Sequence, residues 1–141
     1  MKSLKAPATM KNLDLMIGFI MDKVKKLDLE DKKLIFNLRL VCEEALSNII
    51  NYAYLDKDET GEVKISFDMD TQEGKLVLEI VDHGVAFNLV EYDPPKLKSS
   101  IEEQKIGGFG IHLIKTLMDE VKYKREAGRN ILTLVKLIDV N

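Results

Sequence analysis

A chain of 141 residues, 45% hydrophobic and 32% charged, has the size and balance of one globular domain that can bury a core without staples. Its formal net charge of −3, with no block of lysine and arginine, argues against a nucleic-acid binder that works by neutralising phosphates. The single Cys42 excludes an internal disulfide, and neither an 18-residue apolar run nor a signal-peptide core is present, so the expectation is a cytosolic protein with no membrane contact.

In chain order, residues 3–8 (SLKAPA) predict a short edge strand ended by Pro7. Leu13, Ile17, Ile20, Val24 and Leu27 then repeat at helical spacing and predict an amphipathic helix from about 10 to 27. Asp28 offers an N-cap for a second helix over about 29–53, whose apolar stripe is Leu34, Leu38, Val41, Ala45 and Ile49. Cys42 falls within that run and reads as a buried, inert thiol. Helical-wheel arithmetic places Asn37, Glu44, Asn48 and Asn51 along one flank of the stripe, at the core boundary, where a cleft-lining polar group belongs.

From Glu62 to Asp70 the chain alternates strictly, with Val63, Ile65, Phe67 and Met69 on one side, which predicts a half-buried strand. A turn at 71–74 leads to a second strand over 75–82 and closes a hairpin. The stretch 88–106 holds Pro94, Pro95 and several charges without an apolar period, the pattern of a functional lid or a disordered loop. A short helix carrying Ile111, Ile114, Leu117 and Met118 follows, and two strands over about 120–126 and 130–138 flank a turn at 127–129. Helix, helix, hairpin, loop, helix, hairpin predicts an α+β fold: a two-layer sandwich with a mostly antiparallel mixed sheet and its helices on one face, one domain over residues 1–141.

Three stretches carry chemistry. In EALSN, the Glu44 carboxylate and the Asn48 amide lie four apart and stand one above the other on a helix. An amide oxygen there can hold magnesium, which takes few protein ligands and draws the rest from phosphates and water, while the carboxylate takes a proton. The plain alternative is a solvated helix face. Asp82 leaves a buried strand two residues before Gly84 and needs a hydrogen-bond donor, which the amino group of adenine supplies. Gly84 lets backbone or water approach the base and Phe87 can wall the pocket; an ordinary turn would use the same residues. Gly107, Gly108 and Gly110 precede a helix and suit an anion, or a hinge. No GxxxxGK[ST] occurs, so none of these is a P-loop.

Together the stretches resemble the ATPase domain shared by gyrase, sensor histidine kinases and a mismatch-repair protein (the GHKL superfamily, or Bergerat fold), and within it the anti-sigma-factor serine kinases. EEALSNIINYAY at 43–54 is similar to their N box and DHGVAF at 82–87 to their first glycine box. Residues 93–123, DPPKLKSSIEEQKIGGFGIHLIKTLMDEVKY, are similar to their ATP lid, second glycine box and following helix, and GRNILTLVK at 128–136 to their closing strand. The resemblance implies Glu44 as general base, Asn48 as magnesium ligand, Asp82 as the adenine contact supported through water by Gly84 and Thr133, and Gly107, Gly108 and Gly110 closing a lid of about 88–107 over the phosphates. Two residues depart from the pattern: Phe109, bulkier than the expected leucine, and Tyr52, where several relatives carry histidine.

What the resemblance implies is a cytoplasmic homodimer that uses ATP and Mg2+ to phosphorylate a serine on a small anti-sigma-factor antagonist and that sequesters a sigma factor. The alternative is a module of the same fold that binds a partner in an ATP-dependent way without transferring phosphate. A sensor histidine kinase fragment fits less well, because His83 and His112 are the only histidines and no phospho-acceptor domain precedes the ATP site. A metal site at these two fits less still, as they lie 29 residues apart (112 minus 83) with no Cys/His cluster around them.

Overall fold

The computed structural model describes residues 2–54, 61–89 and 108–139. Alternation builds its sheet. β2 (Glu62–Asp70) buries Val63, Ile65 and Phe67, and β3 (Lys75–Asp82) buries Leu76, Leu78 and Ile80 on the same face. With β1 (Lys2–Pro7), β4 (Glu120–Glu126) and β5 (Arg129–Leu137) the order is β1-β2-β3-β5-β4. Every pairing among the described residues is antiparallel, so the parallel component that a mixed sheet would contain is not found there.

Both hairpins carry their turn chemistry. Asp70 Oδ1 accepts from the backbone N–H of Gln72 and Glu73, and Gly74 takes a left-handed φ of 65°. Ala127 and Gly128 have φ of 52° and 76°, the two positive values of a two-residue hairpin loop, and Glu126 pairs directly with Arg129. The last strand therefore starts one residue earlier than the sequence predicts.

The helices cover one face. A 3₁₀ turn at Met10–Asn12 leads into α1 (Leu13–Lys25), which buries Met16, Ile17, Ile20 and Val24, while Leu13 and Leu27 are only partly buried. Asp28 does not cap the second helix. It sits at φ 54° and donates its N–H to the Lys25 carbonyl, so it ends the first one. The cap is Asp31, whose Oδ1 accepts from Leu34 N at 3.1 Å, a bond worth about 1 kcal/mol to helix stability. α2 (Lys32–Asn48) buries Leu38, Val41, Cys42, Ala45 and Leu46. Burial pushes the Cys42 thiol up to about 12, so it is as inert as the sequence predicts.

From Ile49 to Ala53 the helix widens into a π turn. That change of pitch ends the validity of the helical wheel: Asn37, Glu44 and Asn48 lie at the core boundary as expected, but Asn51 is exposed. α3 (Gly108–Leu117) packs on α2, and its Ile111 and Ile114 enter the same core as Leu46, Ile65, Ile80 and Leu134. Among the described residues no helix is long and apolar enough to cross a membrane.

Candidate functional site

The sequence that widens α2 also shapes a cleft. Ala53, the last residue of the π turn, accepts from Val85 N at 2.8 Å and so ties the helix end to the loop leaving β3. A Cβ at Gly84 would run into the backbone carbonyl of Ala53, so this approach requires glycine. Tyr54 makes a second tie: its hydroxyl donates to the Glu62 carbonyl at 2.7 Å and accepts from His83 N at 2.8 Å. Burial, with Asp82 and Glu62 nearby, raises the Tyr54 pKa above its ordinary value against the opposing pull of the His83 N–H, so the hydroxyl stays a donor.

These ties bound a cleft of about 150 Å³ between the end of α2 and the β3–β5–β4 part of the sheet. Ala45, Asn48, Ile49, Tyr52 and Ala53 line its helix wall; Asp82, Tyr123, Asn130 and Leu132 line its sheet wall; Val85, Ala86, Phe87 and Leu89 form the rim. The walls are mainly apolar with a few polar groups, as small-molecule sites are.

Asp82 is 4% exposed at the last position of β3. Its Oδ1 accepts from Gly84 N at 2.8 Å and from Asn130 Nδ2 at 2.9 Å. Oδ2 has no partner among the described residues, which leaves one acceptor oxygen for the cleft. On the other wall, Asn48 Nδ2 is buried without any hydrogen-bond partner, the one side-chain atom in that state among the described residues. An orphaned amide of this kind costs about 1–3 kcal/mol, and it persists where a ligand completes it. The donor set thus fits a hydrated magnesium ion or a phosphate: an amide with its own acceptor oxygen, unclaimed by the protein, on the wall of a cleft.

The structure places Asn48, Asp82 and Phe87 on one cleft, with Gly84 bonded to Asp82 beside it. Glu44, one helical turn before Asn48, is half-buried and faces α3 instead of lining the cleft. A Cβ at Gly110 would strike the Glu44 carboxylate, so the glycine lets the two helices approach there. The carboxylate has no partner among the described residues. Gly108 and Gly110 open α3; Gly107, residues 90–107 of the expected lid and the Phe109 side chain lie outside the described residues.

Thr133 is a correction. It pairs with Glu79, three rungs from the Asp82–Asn130 pair and therefore on the opposite face of the sheet. The polar residue beside Asp82 is Asn130, held in turn by Tyr123 and Arg125, and sequence reasoning missed all three. A signal existed: Asn130, Leu132 and Leu134 alternate on the core face, and an asparagine in such a series needs a partner. His83 and His112 are exposed and lie outside the cleft wall.

The family described as histidine kinase-like ATPase domain matches residues 6–136. The serine-protein kinase RsbW of Oceanobacillus iheyensis is 35% identical over 96 residues, covering 65% of this chain and 59% of that protein. RsbW of Bacillus mycoides is 31% identical over 120 residues, covering 82% and 66%. The chain thus spans less than two thirds of the length of these relatives. In fold, it is similar to a chain in the crystal structure of the SiaB–SiaC complex from Pseudomonas aeruginosa, with a TM-score of 0.59 at 16% identity over 98% of this chain and 90% of that one.

Proposed function

The chain belongs to the histidine kinase-like ATPase domain family, and from that premise we propose that it is an ATP-dependent protein-serine kinase of the anti-sigma-factor type. Its substrate is a serine on a small antagonist protein, and its second partner is a sigma factor or similar regulator. It acts in the cytoplasm as a homodimer, with residues 1–141 as one domain. The RsbW relatives support the kinase class.

The observation that carries this reading is the pair of unmet polar groups in one cleft, Asp82 Oδ2 on the sheet wall and the Asn48 amide on the helix wall. Asp82 Oδ2 accepts from the 6-amino group of adenine and opposes the 6-oxo group of guanine, while Phe87 and Leu132 cover the base. Asn48 would hold magnesium, which when bound neutralises charge on the phosphates. Gly108 and Gly110, at the start of α3, would offer backbone amides to those phosphates, a role the sequence motif extends to Gly107. Glu44, without a partner among the described residues, accepts the proton of the serine hydroxyl as its oxygen bonds to the terminal phosphorus and ADP leaves.

A second reading draws on one observation: Glu44 faces α3 and is not part of the cleft wall. It is an ATP-dependent partner-binding module without transfer. Labelled ATP, the antagonist and the Glu44→Ala variant separate the two. The kinase reading expects transfer to fall by roughly 10²–10⁴ with ATP binding retained. Absent transfer by the native chain, together with nucleotide-dependent partner binding, selects the module.

A further inference from the structure

Asn130 has no part in the site so far beyond its contact with Asp82, yet its side chain is the most connected in the cleft. It is 6% exposed. Nδ2 donates both to Asp82 Oδ1 at 2.9 Å and to the Val85 carbonyl at 2.8 Å. Oδ1 accepts from the Tyr123 hydroxyl and from an Arg125 guanidinium N–H at 3.1 Å. The same Arg125 nitrogen reaches the Gly84 carbonyl at 2.8 Å. Asp82, Asn130 and Arg125 lie in one rung across β3, β5 and β4, so the hydrogen-bond chain runs straight from the sheet edge to the carboxylate.

The two donors on Asp82 Oδ1 differ in what they can fix. Gly84 N is two residues away, a contact that an aspartate makes within its own turn in many proteins. Asn130 approaches from 48 residues away on a neighbouring strand, and its own amide orientation is fixed by acceptors on one end and donors on the other. A charged donor on its carbonyl also strengthens the bond its N–H makes.

We propose that Asn130, held by Arg125 and Tyr123, is the positioning residue that aims Asp82 Oδ2 at the amino group of the base and so sets the preference of the cleft for adenine. This rests on the proposed reading of Asp82 as the base-binding carboxylate.

The test compares ATP with its analogue carrying hydrogen in place of the 6-amino group, titrated into the native chain and the Asn130→Leu and Arg125→Met variants. The native chain should prefer ATP by roughly 10- to 150-fold, the span of one charge-assisted hydrogen bond. In Asn130→Leu, close in shape and without room for a replacing water, that preference should fall to about twofold while analogue affinity changes less than about threefold, because a merely structural role would weaken both nucleotides alike. Equal weakening of both nucleotides, with the preference kept, overturns the proposal. Arg125 is exposed on an edge strand, so if Asn130→Leu does not fold, Arg125→Met decides. It should lower the preference by about threefold, a modest effect because Arg125 acts on the carboxylate only through Asn130, and an unchanged preference overturns the proposal. A native chain with no preference at all removes the Asp82 reading as well, so the two failures are distinguishable.

Discussion

Across the cleft, the sheet wall holds Asp82 with two donors on one oxygen, whereas the helix wall leaves the Asn48 amide nitrogen buried with no partner among the described residues. Asp82, Asn130, Arg125 and Gly84 are ordered by their own hydrogen bonds, so a ligand meeting this wall would find its acceptor already aimed. The Asn48 amide is in the opposite condition: left unmet it weakens the free protein, and a ligand that completed it would couple binding to local stability. One cleft thus combines a preordered wall with an incomplete wall that a ligand would finish.

The change that should break this contrast most sharply is Asp82→Asn. It keeps one oxygen for Gly84 and Asn130 but turns an NH2 group toward the cleft, a donor facing a donor. ATP affinity should fall by roughly 1.5–3 kcal/mol, and a 6-oxo purine nucleotide should gain relative to ATP. Calorimetry showing no loss would take base recognition away from the sheet wall. Gly84→Ala tests what holds that wall to the helix end. The new Cβ meets backbone atoms of Ala53 that have no freedom to swing aside, so urea unfolding should show about 1–3 kcal/mol less stability. A variant as stable as the parent would mean that the loop is not pinned there.

Asn48→Leu should have the smallest effect and the most telling sign. It replaces the orphaned amide with an apolar group of similar size, so the nucleotide-free protein should gain about 1 kcal/mol on unfolding while nucleotide binding loses its dependence on magnesium. A loss of stability instead would show that the amide has a partner in the free protein, and the contrast between the walls would disappear.

Much of this molecule is legible in local pattern. Val63, Ile65 and Phe67 alternate with polar neighbours, and Leu38, Val41 and Ala45 recur at helical spacing, so the strands and helices follow from the match between apolar period and backbone pitch. Asn48, Asp82 and Gly84 were also readable, because an amide at the core boundary, a carboxylate ending a buried strand and a glycine at a close approach each carry a local cost that implies a partner. Where two local solutions were equal, sequence could not choose. Asp28 and Asp31 are both competent caps, and the one at left-handed φ ends α1 while the other starts α2. The wheel failed at Asn51 because the pitch changes at Ile49. Thr133 and Asn130 lie three residues apart on one strand, and only the register of that strand against β3 sets which of them faces Asp82. Composition and period determined the elements and most of the site's residue types; register across 48 residues decided which polar side chains meet, because a single-residue slip sends each one to the other face of the sheet.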